Sequence, residues 1–346
     1  MTRPRTSAIS LVLLPALLCL PDSVGAQEGD TIANTTVPLS YRSARKWTFS
    51  LPVHHWNRIG TSLDIGGRRF KVATEGTALL VDTDGDGKTD VKVEGFDAFL
   101  TLKGEGFQHS LRLWNRKGWT FASSAYLKGK IGDKKVRLFD LDNNGRFDEV
   151  GKDGIILGNG KQVSHLGSAL HLDGKLISLS VAKDGKSLSY EPYAGKTGKL
   201  RLDYDTKGKV MSLQIRSSDD LLSFDLATLA RTPGASLDLP VGTYKLHGGQ
   251  IGLGDNRVQI GPGRSKTFEV RDGQVQPLDL GGVVKAEFTY ARQGDQVQMS
   301  PDKIWYYGPS GEEYRAWAPI GKSPTFTIRE QKSGNELAKA FFPGTS

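Results

Sequence analysis

Apolar and polar side chains alternate with a period of two through most of the chain. Ile177, Leu179 and Val181 are separated by Ser178 and Ser180, and Leu188 and Tyr190 alternate with Ser187 and Ser189. The pattern repeats at Leu200, Leu202 and Tyr204, at Met211, Leu213 and Ile215, and at Leu222, Phe224 and Leu226. Each segment is built to bury one face and wet the other, as antiparallel strands do. Asn159-Gly160, Asp173-Gly174, Asp184-Gly185 and Asp272-Gly273 lie between such runs and supply the positive φ angles of tight hairpins. No long segment repeats at 3.6 residues, and Gly252-Leu253-Gly254 lacks the βαβ setting of a dinucleotide fingerprint. The pattern predicts an all-β, multi-module, antiparallel protein.

Boundaries follow from shifts in texture. Residues 27–45 are polar and read as a loose tail or an edge strand. Residues 46–231 form a β-rich domain with two acidic loops and, over 161–231, a β-meander. Thr232-Pro233-Gly234 reads as a hinge. The segment Leu239-Pro240-Val241-Gly242-Thr243-Tyr244-Lys245-Leu246 follows it and resembles the L-P-x-G-x-Y entry strand of transthyretin-like and other Ig-like modules of secreted proteins. That resemblance implies an Ig-like β-sandwich over 235–346. Alternation at Phe268 and Val270, from Val284 to Tyr290, and at Phe326 and Ile328 agrees with it.

The amino terminus carries compartment information. Arg3 and Arg5 precede an apolar stretch from Ala8 to Leu20, then Pro21 and the small-residue ending Val24-Gly25-Ala26. This is the layout of a secretory signal peptide over residues 1–26, and the run is too short for a bilayer span of about 20 residues. Export to the periplasm or cell exterior is expected, with no transmembrane segment in the mature chain. Cys19, the single cysteine, lies within the signal, so no disulfide can tie the exported loops. The chain has 46 Lys and Arg against 38 Asp and Glu; without Arg3, Arg5 and Asp22 the counts are 44 and 37, a net of +7. The excess is dispersed, as solubility charge is. It suits an acidic glycan or an anionic envelope component as partner, and no motif points to nucleic acid.

The most specific chemistry is an acidic nonapeptide that occurs twice. Asp82-Thr83-Asp84-Gly85-Asp86-Gly87-Lys88-Thr89-Asp90 is followed by Asp140-Leu141-Asp142-Asn143-Asn144-Gly145-Arg146-Phe147-Asp148. Oxygen side chains at positions 1, 3 and 5 converge when such a loop curls. Glycine at 6 permits the turn, the carbonyl at 7 (Lys88, Arg146) points inward, and the acid at 9 completes that side. Hard oxygen donors in this order suit Ca²⁺, one ion per loop. The two windows resemble the calcium loops of EF-hands and of dockerins and other secreted bacterial proteins. They depart at position 12, where a bidentate Glu is replaced by Val93 and Gly151, and Glu94, Glu149 and Asp153 are the local substitutes. The flanks Thr77–Val81 and Lys135–Phe139 read as strands, so a helix–loop–helix sensor is not expected.

Other constellations are thin. His54, His55, His109, His165, His171 and His247 form no H-E-x-x-H, and no G-x-S-x-G occurs. His54 and His55, adjacent on an extended chain, point to opposite faces, which suits one imidazole packed beside Trp56 and one exposed. Trp305-Tyr306-Tyr307 and Tyr314-Arg315-Ala316-Trp317 fit a sandwich core; an exposed aromatic row there would instead make a sugar-binding platform. The sequence supports a non-catalytic, calcium-stabilised envelope protein with a structural or adhesive role, with a carbohydrate-binding or carbohydrate-processing protein as the alternative.

Overall fold

The computed structural model describes residues 34–53, 55–318 and 325–341. The expected signal peptide (1–26), residues 27–33 and His54 lie outside them. The described chain is almost entirely β, arranged in several mainly antiparallel sheets, and its single helical element is the short 3₁₀ turn Leu229–Arg231. No helix among the described residues is long and apolar enough to cross a membrane.

Two sandwiches hold most of the core. In the first, a four-stranded sheet from Ser62–Ile65, Arg68–Glu75, Ala78–Val81 and Val91–Val93 faces a second from Asn57–Arg58, Asp97–Gly104, Phe107–Asn115 and Trp119–Ser123. Leu63, Ile65, Phe70, Leu79 and Val81 meet Leu102, Leu111, Leu113 and Phe121 between them. In the second, a three-stranded sheet of Ser236–Pro240, Thr197–Asp205 and Val275–Gly281 contributes Leu200, Leu202, Leu239 and Leu280. An eight-stranded sheet contributes Leu213, Ile215, Tyr244, Leu246 and Ile260. Thr197–Asp205 and Val275–Gly281 run parallel, a departure from the otherwise antiparallel pairing of named strands.

Thr232, Pro233 and Gly234, the expected hinge, are exposed and do not separate two cores. Ser236–Pro240 pairs with Thr197–Asp205, and Gly242–Leu253 pairs with Lys209–Ser217, so strands from both sides share sheets. The strands after residue 235 share their core with residues 197–217, because the apolar face of 200–215 is what covers Leu239, Tyr244 and Leu246. The L-P-x-G-x-Y segment has a local reason: Tyr244 is fully buried and its hydroxyl donates to the Pro240 carbonyl at 2.8 Å. Further along, Lys285–Gln293 pairs with Gln296–Tyr307, yet all nine of its residues are exposed. The alternation at Phe288 and Tyr290 is broken by a register shift, and no facing sheet covers it among the described residues.

The meander is present over Ala169–Leu172, Lys175–Val181 and Ser187–Pro192, with Asp173 (φ 50°) and Gly174 (φ 79°) making its first turn. The polar segment after residue 33 is an edge strap. Thr35–Pro38 adds to the edge of Ser187–Pro192, and Ser40–Ser43 adds to the edge of Ala125–Ile131. Beside it, the Arg112 guanidinium lies between Trp47 (4.1 Å to the ring centroid) and Trp56 (5.2 Å), and Trp47 packs on Phe49 and Phe139.

Candidate metal centres

Both acidic loops interrupt strands, as their flanking sequences predict. The first joins Ala78–Val81 to Val91–Val93; the second follows Lys134–Phe139 and leads to Gly154–Leu157. In each, the first aspartate is buried and organises the turn through backbone amides. Gly85 N and Gly87 N donate to the two Asp82 oxygens at 2.7 and 2.9 Å. Asn144 N and Gly145 N donate to those of Asp140 at 3.1 and 2.9 Å. Burial opposes ionisation of Asp82, but these backbone donors outweigh it and hold its carboxyl below the ordinary range.

In the first loop, carboxylate oxygens of Asp82, Asp84 and Asp86 lie within 4.8 Å of one another. Asp86 accepts from Lys88 N at 2.7 Å. Asp90 is not in the group: its oxygens accept from Thr83 N (2.9 Å) and Thr83 Oγ1 (2.7 Å), closing the base of the loop. Position 12, Val93, is a buried core side chain, and Glu94 pairs with Lys92 at 3.2 Å. Asp84 and Asp86 are exposed, so this loop is a surface site.

The second loop is built differently. Asp140 and Asp142 converge with Asp153, again within 4.8 Å. Asp148, the expected ninth-position ligand, is turned to Arg146, whose Nε and Nη2 donate to its two oxygens at 3.0 and 2.8 Å. Asn144 donates its amide to Asp142 at 3.1 Å and to Glu149, while its oxygen accepts from Arg146 N at 2.8 Å. Glu149 also holds Lys152 at 2.9 Å. Asp153 is wholly buried: one oxygen accepts from Glu149 N at 2.8 Å, and the other, Oδ1, has no partner among the described residues. Oδ1 of Asp142 is likewise unpartnered. Burial, and then the neighbouring carboxylates, push the Asp142 carboxyl up to about 6 and that of Asp153 up to about 9. Three acids with two bare buried oxygens are a group that could hold a hard cation.

The structure explains the missing position-12 Glu here. Gly151 has φ +80°, and a Cβ there would meet the Asp220 carbonyl oxygen at 2.5 Å. No side chain fits, and Asp153, two residues on, brings a carboxylate in instead. The loop is also locked from three sides. Gly66 N donates to Asn144 O at 2.7 Å, and Asn143 Oδ1 accepts from Ser123 N at 2.7 Å. His109 reaches from the neighbouring sheet to place Nε2 3.2 Å from Asp140 Oδ2. Spacing alone does not reveal His109, since it lies 31 residues upstream on another sheet.

The aromatic segment does not make an open row. Tyr314 is buried, Trp305, Tyr306 and Tyr307 are half-buried, and Tyr306 packs edge-on against the exposed Trp317. His55 is exposed, and Trp56 packs on Trp114.

No protein-family model matches this chain, and no curated protein does. A solved leucine-rich repeat protein from Bacteroides thetaiotaomicron is similar at 14% identity with a TM-score of 0.19. The alignment covers 70% of this chain but spans only 26% of that protein. At that score the likeness carries no argument about fold or activity.

Proposed function

We propose that this chain is an exported calcium-binding β protein whose ions brace its loops, and that its role at a bacterial envelope is structural or adhesive. The observation that carries this reading is the buried, unpartnered Asp153 Oδ1 beside Asp140 and Asp142. The loops continue strands, so an ion in each fixes how one strand leaves and the next begins, the task disulfides perform in other exported proteins. Asp140, Asp142 and Asp153 would hold one ion, and Asp82, Asp84 and Asp86 the other. Calcium that binds only the folded loops raises stability by about 2.7 kcal/mol at a hundredfold excess over Kd. Calorimetry on the metal-stripped protein should find two calcium equivalents, and EDTA should lower the melting temperature with poor rescue by Mg²⁺, which demands octahedral geometry. An identical melting curve in EDTA, with no calcium detected by elemental analysis, would defeat the reading.

A further inference from the structure

The eight-stranded sheet carries a polar row on one of its faces. Ser212, Gln250, Gln259 and Arg315 stand directly opposite one another across four adjacent strands. Leu213, Ile251, Val258 and Ile260, their neighbours along those strands, belong to the buried core. The row opens into a cleft of about 170 Å³, whose far wall is Leu51, Pro52 and Gln162 from the extended segments joined by the Ser50–Gln162 bridge.

Two features show that this cleft is shaped and not left over. Between Gln214 and Ile215 the register with Gly242–Leu253 slips by one residue, and the extra residue on the partner strand is His247, which lines the cleft. Bulges of this kind re-aim side chains beside binding sites. The floor is Gln214, only 4% exposed. Its Nε2 donates to the Val163 carbonyl at 3.3 Å and to Ser164 Oγ at 3.2 Å. A carbonyl can only accept, so this contact fixes which way the amide points and leaves Oε1 as a buried acceptor with no partner among the described residues.

We infer that this cleft binds a small, neutral, polyhydroxylated ligand of the size of one hexose ring. Side-chain amides and a neutral imidazole both donate and accept, and so complement hydroxyl groups, which do the same. No carboxylate lines the cleft, and its single cation, Arg315, stands exposed at the rim. His247 is the sole aromatic side chain in the lining, and its ring is engaged edge-on with His165 at 5.0 Å, so the cleft has no aromatic pair to sandwich a planar base. The volume is below the ~300 Å³ at which drug-sized sites begin. Leu51 and Pro52 offer apolar surface to the C–H face of a sugar. The inference stands on residues apart from both acidic loops and does not depend on the calcium reading.

The test is saturation-transfer NMR on the full exported chain in calcium, with glucose, galactose, mannose, glucuronate and adenosine as probes. Saturation should reach at least one neutral hexose. Its affinity should fall about tenfold in Gln214→Met and in Gln250→Ala; the second position is only half-buried, so that variant keeps the fold intact. Absence of transfer to every neutral hexose would overturn the inference. So would binding that both variants leave unchanged, or a preference for glucuronate or adenosine over all three hexoses.

Discussion

His109 Nε2 lies 3.2 Å from Asp140 Oδ2, and both side chains are buried. The contact joins a core strand of the first sandwich to the leading aspartate of the second acidic loop, so the loop is held by the fold as well as by its own amides. His109→Leu leaves Asp140 short of a buried partner, at a cost of about 1–3 kcal/mol. His109→Gln retains a donor and should lose less. Urea midpoints measure both, and midpoints unchanged from the native protein in both variants would show that the contact contributes nothing.

The second loop separates two acids that a regular nine-residue pattern would not. Asp153→Asn should remove one calcium equivalent in calorimetry, since an amide cannot ionise to meet the cation as the buried carboxyl can. Asp148→Asn should keep both equivalents, because Asp148 is engaged by Arg146. The reverse result would mean that calcium recruits the ninth position and that Asp153 is only a buried acid.

Gly151 and Gly158 both have positive φ, but only Gly151 is crowded. Gly158→Ala meets open space and should cost about 1 kcal/mol, the conformational term alone. Gly151→Ala must also displace the Asp220 backbone and should cost clearly more, with weaker calcium binding at the second loop. Similar melting points for the two variants would refute the steric account of the absent position-12 side chain.

Acid should unfold the protein partly through His165. Burial, then the charge of Arg216 and the nearby His247, push its pKa down to about 3; Asp220 pulls weakly the other way, and His55 adds to the depression. An unfolded histidine takes up its proton near pH ~6.5. Between those values the unfolded chain binds more protons, so stability falls as pH drops from about 6.5 toward 3, by at most ~1.4 kcal/mol per pH unit. Above that window this group adds no pH dependence. His165→Leu should flatten the fall in urea midpoint between pH 7 and pH 4. His171 and His247, both lowered by burial, add to the same slope, and Asp142 and Asp153, both raised, oppose it. An unaltered slope would exclude His165 as a contributor.

The strands flanking the acidic loops, the converging acids at positions 1 and 3, and the Asp173-Gly174 turn are all legible in the sequence, because each rests on neighbours a few residues apart. The exchange of Asp148 for Asp153 is not, since it depends on what Gly151 touches 69 residues away. The sharing of sheets across residues 232–234 is equally hidden: a Pro-Gly turn marks a change of direction, and only the face presented by Leu200, Leu213 and Ile215 decides that the chain returns to the same core. The polar row of the large sheet is invisible in the sequence because Ser212, Gln250, Gln259 and Arg315 meet across strands, not along one.

The strap over Thr35–Pro38 and Ser40–Ser43 closes the open side of two sheets with one short run of chain. A free strand edge is a template on which other chains can polymerise. The strap therefore acts as a stopper: a chain lacking Thr35–Ser43 would bare the edges of Ala125–Ile131 and Ser187–Pro192 together, and its first failure would be self-association rather than loss of either core.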